Sequence, residues 1–342
     1  MVKSLKLHRN EGASMSIHLK PINQQVIFIT GATSGIGLAT VRMAVDQGAK
    51  VYMVARNEDE LQNIQTEMRL SNLPTAYTVA DVAEIDQIQI AADHCLDTFG
   101  RIDTWINNAG ISVYGKLLDT SEEEAKRLFD TNFWGVVNGC KVASALMRMD
   151  GGAIINIGSS LSEISLPLQG IYSASKHAVK SYTDSLREEL LAEKAPISVS
   201  LVKPGAIDSP HTLHAPSHIG EPVHALPVYH PDVVAKMILK CATTPIRELG
   251  IGSAAVFFPF LENIFPRLKD KILARRYAEL ETVDAEDAKP VIKSSTGNVS
   301  GNYEGHVMTT SLTSEVLSNK WLTHGLVMGG LTLLFLKRKR LI

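Results

Sequence analysis

Val26-Ile27-Phe28-Ile29-Thr30-Gly31-Ala32-Thr33-Ser34-Gly35-Ile36-Gly37 is the stretch on which the fold turns. Its first five residues are apolar or β-branched and too few for a helix, so the pattern predicts a buried strand. Three glycines come next, and a helical pattern then runs to about Gln47, with Gly48 as its stop. Strand, glycine turn and helix together make a phosphate-binding arrangement. Glycines let the backbone approach a pyrophosphate closely, and a helix N-terminus offers free N–H groups and a positive dipole end. Three residues separate the first two glycines, which departs from the G-x-G-x-x-G form.

Outward from this stretch the same alternation repeats. A second strand is predicted over 50–55, followed by Arg56. In a dinucleotide site a carboxylate at this strand tip would bind the ribose 2′-hydroxyl, whereas an arginine suits a 2′-phosphate. Ala55-Arg56-Asn57 offers no carboxylate, which favours NADP over NAD; the alternative is a solvated surface arginine. A helix over 58–70 leads to a strand over 75–80 that ends at Asp81-Val82. A helix over 85–99 stops at Gly100, and a strand over 102–106 runs into Asn107-Asn108-Ala109-Gly110. Ser121 and Glu124 match a capping box, so one long helix is expected from 121 towards 149. Asn132 falls in its apolar middle, where a buried amide needs a partner. Further strands are predicted over 153–157, 197–202 (closed by Pro204-Gly205) and 247–252. This alternation points to an α/β fold, a Rossmann-type doubly wound parallel sheet of about seven strands with helices on both faces.

The chemistry centres on Tyr172-Ser173-Ala174-Ser175-Lys176. On a helix, Tyr172 and Lys176 share one face. A free tyrosine, with a pKa of about 10, is a poor acid or base at neutral pH, and a neighbouring ammonium favours its phenolate. Ser159 stands thirteen residues upstream, at the C-terminal end of the 153–157 strand, where open α/β sheets place their ligands. A Tyr–Lys pair at this spacing is common on surface helices, so its weight rests on the glycine turn and the strand ends around it.

Composition sets the outer limits. The 342 residues are 45% hydrophobic and 20% charged, enough for a sizeable core, and a net charge of −2 argues against nucleic acid as a partner. Cys95, Cys140 and Cys241 are too scattered for a disulfide framework or a zinc motif. His211, His214, His218, His224 and His230 lie with four prolines in a stretch read as a long loop over the site. Without carboxylate or cysteine partners at fitting spacing, no metal site is expected there.

Together these elements resemble the short-chain dehydrogenase/reductase family in its shorter single-domain form. The resemblance covers about 25–252 and rests on Thr30-Gly31-x-x-x-Gly35-Ile36-Gly37, Asp81-Val82, Asn107-Asn108-Ala109-Gly110, Asn132, Ser159, Tyr172-x-x-x-Lys176 and Pro204-Gly205. It implies that Tyr172 is the general acid/base and that Ser159 polarises the substrate carbonyl. Lys176 would lower the tyrosine pKa and hold the nicotinamide ribose, and Asn132 would anchor a water of the proton relay. Thr30, Gly31, Ser34, Gly35, Ile36 and Gly37 would form the pyrophosphate turn. Asp81 and Val82 would meet the adenine, Asn108 the adjoining ribose, and Pro204, Gly205 and Ile207 the nicotinamide end. Ser209 replaces the threonine usual after Pro-Gly. The implied activity is NADP(H)-dependent interconversion of a secondary alcohol and a ketone or aldehyde. The alternatives are an NADPH-binding sensor or scaffold without efficient turnover and, disfavoured by the glycine spacing, a sugar-nucleotide epimerase or dehydratase. The resemblance also implies a homo-oligomer, dimer or tetramer, paired through the helices that hold Asn132 and Tyr172.

Beyond 252 the resemblance ends. The expected divisions are a disordered leader over 1–20 (with Met15 an alternative start), the oxidoreductase domain over 21–252, a helical extension over 253–280, a flexible linker over 281–314 and a tail over 315–342. The extension carries Phe257, Phe258, Phe260 and Phe265 and then a basic run, and it either packs over the substrate pocket or a partner subunit, or lies on a membrane surface. Trp321 begins an apolar run to Leu336, followed by Lys337-Arg338-Lys339-Arg340. At about 24 Å as a helix this run is short against a hydrocarbon core of about 30 Å, yet the tail reads as a membrane anchor, a transmembrane helix or a shallow insertion. A membrane-associated enzyme with its catalytic domain facing the cytoplasm and a lipophilic substrate is the resulting expectation.

Overall fold

The computed structural model describes residues 17–212, 217, 227–278 and 297–318. Seven parallel strands form one sheet: β1 Val26–Thr30, β2 Lys50–Ala55, β3 Thr75–Val79, β4 Thr104–Asn107, β5 Gly152–Ile157, β6 Ile197–Pro204 and β8 Glu248–Ile251. Their order is β3-β2-β1-β4-β5-β6-β8. Such a sheet is buried on both faces, which is why its strands read as near-continuous apolar runs. Along β1 the side chains alternate: Ile27 and Ile29 join the core under α1 Gly35–Asp46, α2 Glu58–Leu70 and α7 Pro231–Thr243. Val26 and Phe28 join the core under α3 Ile85–Phe99, α5 Gly135–Met147 and α6 Gly170–Ala192. Phe28 stacks on Trp105 there, and Trp105 is fully buried. The strand order reverses between β1 and β4, and at such a switch point the diverging loops leave a crevice beyond the strands' C-terminal ends.

Two departures from the sequence expectations matter for the site. The helix expected as one piece from 121 is broken into α4 Glu122–Phe129 and α5 by a π-helical turn, Asp130–Trp134. The wider turn carries Asn132, whose amide leaves the helix to bond the loop after β4, and insertions of this kind recur at functional sites. The capping box at Ser121 and Glu124 is present.

The second departure is in the stretch read as a linker over 281–314. From Gly297 on it is packed: β9 Val307–Met308 pairs in parallel with β7 Val228–Tyr229, and α10 Leu312–Leu317 packs on β8. Val299 and Met308 reach the core beneath α1 and α7. Polar composition misled here because the segment is held by backbone and hydroxyl hydrogen bonds, which leave no apolar pattern.

The helical extension folds as α8 Ala254–Ile264 and α9 Pro266–Ala278. Tyr277 packs against Tyr114 and Leu168, so α9 meets the segment that carries Tyr114. Phe257, Ile264, Phe265, Leu268 and Ile272 remain exposed. No helix among the described residues is long and apolar enough to cross a membrane. The leader before residue 17 and the tail from Trp321 lie outside the described residues, as do His214, His218 and His224.

Candidate active site

A cleft of about 1060 Å³ opens over the C-terminal ends of β1, β2, β4, β5 and β6. One end is built from backbone. Gly31 takes φ +66°, a left-handed conformation that glycine adopts without strain, and an added Cβ would stand 2.8 Å from the Ala109 Cα. At Gly37 an added Cβ would overlap the Gly31 carbonyl oxygen, so only glycine keeps the turn closed on α1. The N–H groups in a helix's first turn have no intrahelical partner. That of Gly35 goes to the Asn298 carbonyl at 2.9 Å, while Ile36 and Gly37 line the cleft beside Ser34. Tight backbone, spare donors and a positive helix end are what a pyrophosphate requires, so the residues present fit a dinucleotide.

Thr30 lies one layer behind. Its Oγ1 accepts the N–H groups of Asn108 and Ala109 at 3.0 and 3.1 Å, and the Asn108 Nδ2 donates to the Thr30 and Gly31 carbonyls at 3.0 and 3.1 Å. Both side chains are therefore spent on joining β4 to the glycine turn. Asp81 and Val82 line the cleft, with the Asp81 carboxylate 2.6 Å from Arg127 Nη2. Arg56 also lines it at the exposed tip of β2, and Asn57 caps α2 through the Glu60 N–H. Pro204, Gly205 and Ile207 border the opposite part, and Ile207 bridges to Tyr229.

Ser159, Tyr172 and Lys176 converge deeper in. The Tyr172 phenol faces Ser159, which acts to lower its pKa, and the Ser159 Oγ accepts the Leu161 N–H at 3.1 Å. The Lys176 ammonium lies 5.7 Å from the Tyr172 ring centroid and donates to the Ile157 carbonyl at 2.9 Å. The electrostatics differ from the expectation of a depressed tyrosine. Burial pushes the Tyr172 phenol up, the Tyr114 phenol adds to this, and Ser159 only partly opposes it. Burial pulls Lys176 down to about 8. Taking a charge out of water outweighs the ring–ammonium contact at this distance.

Asn132 is satisfied in full view of this group. Its Oδ1 accepts the Ile111 N–H at 2.8 Å, while its Nδ2 donates to the Ile111 carbonyl at 2.9 Å and to Ser175 Oγ at 3.2 Å. Both amide hydrogens are used, so the side chain pins the π-helical turn to the loop and to α6. Ser175 in turn donates to the Tyr172 carbonyl at 2.7 Å. Beneath the floor, Asn107, Asn156 and Thr183 form a buried chain at 2.8 and 2.9 Å that ties β4, β5 and α6 together.

Of the other end of the cleft, the sequence marked only His211, in the stretch read as a loop over the site. Tyr114, Leu161, Leu166, Gln169 and His211 line this end. Burial pushes the Tyr114 phenol up to about 12, with the neighbouring Ser112 and Gln169 side chains only partly opposing it. Leu168, a non-glycine residue at φ +65°, packs beside Tyr114 and accepts the Gly115 N–H at 2.9 Å. A leucine in this region is strained and needs its surroundings to hold it. Of the loop histidines, His211 sets its ring 5.9 Å from that of Tyr172, and His230 caps α7 through the Asp232 N–H. No spacing rule marks these residues, because they come from three connections far apart in sequence: after β4, between β5 and α6, and after β6.

Comparison with known proteins agrees with this geometry. The chain is 41% identical over 271 residues to an uncharacterized oxidoreductase, YxnA, of Bacillus subtilis, covering 78% of this chain and 76% of that one. It is 39% identical over 189 residues to the 3-ketodihydrosphingosine reductase of Bacteroides thetaiotaomicron, covering 55% and 66%. A short-chain dehydrogenase/reductase from Burkholderia phymatum, solved with NAD, superposes at a TM-score of 0.65 with 24% identity, covering 72% of this chain and 95% of that one; this likeness concerns the fold. The profile of the short chain dehydrogenases matches residues 25–218, more than half of the chain. The protein belongs to the short-chain dehydrogenase family and is an oxidoreductase acting on CH–OH groups, with that family's NAD(P)-binding fold.

Proposed function

We propose that this protein is an NADP(H)-dependent oxidoreductase that interconverts a lipophilic secondary alcohol and its ketone, or an alcohol and an aldehyde, with Tyr172 as general acid/base. The observation that carries the reading is the convergence of Ser159, Tyr172 and Lys176 at the inner end of a cleft whose outer end holds the glycine turn and Arg56. The bound nicotinamide dinucleotide supplies or accepts the hydride at the substrate carbon. Gly31, Ser34, Gly35, Ile36 and Gly37 hold its pyrophosphate, Asp81 and Val82 flank its adenine, and Pro204, Gly205 and Ile207 border its nicotinamide. Thr30 and Asn108 position that turn. Arg56 meets the 2′-phosphate, for which no carboxylate at position 56 or 57 competes.

In the reductive direction the Tyr172 phenol gives its proton to the carbonyl oxygen as that oxygen gains negative charge, and Ser159 donates a hydrogen bond to the same oxygen. Burial favours the protonated phenol at neutral pH, which suits the acid role. Lys176 then faces the phenolate and stabilises it, and Asn132 keeps this helix face in register through Ser175.

A lipophilic substrate is supported by Leu161, Leu166 and Tyr114 at the inner end, and by the likeness to the 3-ketodihydrosphingosine reductase of Bacteroides thetaiotaomicron. Phe257, Ile264, Phe265 and Leu268, exposed beside Arg267 and Lys271, and the apolar tail from Trp321 support association with a membrane surface. Half-exposed Trp134, packed on Phe133 next to Tyr182, supports homo-oligomer pairing through α5 and α6.

The test is NADPH consumption against hydrophobic ketones and aldehydes, with nucleotide binding followed by fluorescence. Tyr172→Phe is expected to retain binding and lose activity by about 10²–10⁴-fold. Binding without turnover on any carbonyl in the wild type would favour the sensor alternative, and equal turnover in the variant would remove Tyr172 from the chemistry.

A further inference from the structure

The segment from Gly297 to Ser314 touches, one after another, the elements that frame one side of the cleft. Gly297 lies against Glu60 in the first turn of α2, where an added Cβ would overlap the carboxylate. The Asn298 carbonyl takes the Gly35 N–H at 2.9 Å. Ser300 Oγ lies 3.1 Å from His230 Nε2; the His230 Nδ1 accepts the Asp232 N–H, so Nε2–H is the donor. Gly301 lies against the loop after β6, and the Tyr303 N–H donates to Asp208 Oδ1 at 3.3 Å. β9 then pairs with β7, the His230 N–H donates to the Met308 carbonyl at 2.9 Å, and Ser314 Oγ accepts the Gly252 N–H at 3.3 Å.

Gly35 and Ser209 both line the cleft and stand close together: a Cβ on Gly35 would be 3.1 Å from the Ser209 Cβ. The strap residues are not among those lining it. They hold these two walls from behind.

We propose that segment 297–314 is a positioning element of the dinucleotide site. It fixes the spacing of the glycine turn relative to the Asp208–Ser209 loop, so nucleotide affinity depends on it while proton transfer at Tyr172 does not. The Asn298 carbonyl orients the turn by taking the Gly35 N–H and leaves the donors of Ile36 and Gly37 for an anion. The inference deepens the NADP(H) reading and rests on it for the ligand.

Gly301 offers the sharpest test. A Cβ there would lie 2.7 Å from Asp208 Oδ1 and 2.8 Å from the Ser209 carbonyl oxygen, so Gly301→Val forces strap and loop apart. In the full chain this variant is expected to raise the Kd and KM for NADPH roughly tenfold while kcat stays within about twofold. NADH should weaken by the same factor, because the brace acts on the turn that both nucleotides share. Asp208→Ala should follow in the same direction, and Asp208→Asn, which keeps an oxygen for the Tyr303 N–H, should restore wild-type affinity. In the wild type, saturating NADPH should slow amide hydrogen exchange over 299–308, although these residues do not line the cleft. Unchanged affinity in folded Gly301→Val, or unchanged exchange over 299–308 on nucleotide binding, would overturn the proposal. The exchange arm decides the matter if the variant does not fold. A wild type that binds NADH more tightly than NADPH would defeat the NADP reading while the strap is still judged on NADH. Failure to bind either nucleotide would overturn both.

Discussion

The two ends of the cleft are made of different material. The dinucleotide end is backbone, glycine and short polar side chains, drawn from stretches such as Thr30 to Gly37 and Asn107 to Gly110 that are contiguous in sequence. The substrate end is side chains alone, with Tyr114, Leu161, Gln169 and His211 arriving from separate segments and Tyr277 of α9 packed behind Tyr114. A site made of backbone constrains residue type at fixed spacing, because only glycine lets the chain approach so closely. A site made of side chains constrains only the shape that remains. Many residue combinations fill one shape.

The largest effect that would break this contrast is at Gly37. Alanine is ordinarily better than glycine in a helix by about 1 kcal/mol. Here its Cβ would meet the Gly31 carbonyl oxygen, which cannot swing aside as a flexible side chain can. Gly37→Ala is therefore expected to weaken dinucleotide binding by about 100-fold or more in a fluorescence titration. Near-normal affinity would mean that the turn is not held by backbone contact.

Lys176 lies where the two ends meet, and its prediction is one of pH. Its folded pKa of about 8 lies below the ordinary lysine value of 10.5, so between these values the unfolded chain holds a proton that the folded chain does not. Stability should rise with pH across that window, by up to about 3 kcal/mol from this group. Burial pushes the Cys95, Cys140 and Cys241 thiols up to about 12, which opposes this rise over the upper part of the window, so the lysine's part is read by difference: from pH 7.5 to 10.5 the urea midpoint of wild type should gain on that of Lys176→Met as pH rises. Parallel curves would place the lysine in a better-solvated setting than its burial implies.

Smaller effects sharpen the contrast. Arg56→Ala should raise the Kd for NADPH about tenfold and leave that for NADH unchanged; equal change in both would return Arg56 to the solvated surface. Tyr114→Phe, which removes a hydroxyl from the cleft wall, should shift the substrate KM by about threefold to tenfold with both nucleotide affinities unaltered. A change in nucleotide affinity instead would show that the two ends are not separable.

The same division decides what was legible in the sequence. The seven-stranded sheet follows from apolar runs such as Val26–Thr30 and from glycine and asparagine at their ends, since parallel strands buried on both faces admit little else. Ser159, Tyr172 and Lys176 were readable because β5 and α6 carry them to one point at fixed spacing. The break at Asp130–Trp134 was not, because a π-helical turn costs a single added residue and leaves the apolar period on either side intact. The upward push on Tyr172 was equally hidden: adjacency of Tyr and Lys is visible in sequence, whereas the degree of burial that outweighs it is a property of the packed molecule. Gly297 to Ser314 was read as linker because serine, glycine and asparagine serve equally in loose chain and in a segment fastened by its own backbone.

The hydrogen bond from Gly35 to Asn298 has a consequence for how the molecule comes into being. The first element of the nucleotide site to leave the ribosome is the glycine turn, and its partner emerges only after nearly all of the sheet has been synthesised. Domains generally begin to fold from the N-terminal side during synthesis, at about 5–20 residues per second. A nascent chain halted before residue 297 would therefore carry the sheet and Tyr172 with a glycine turn not yet braced by Asn298. If the strap acts as proposed, nucleotide loading would be one of the last events in the maturation of the chain.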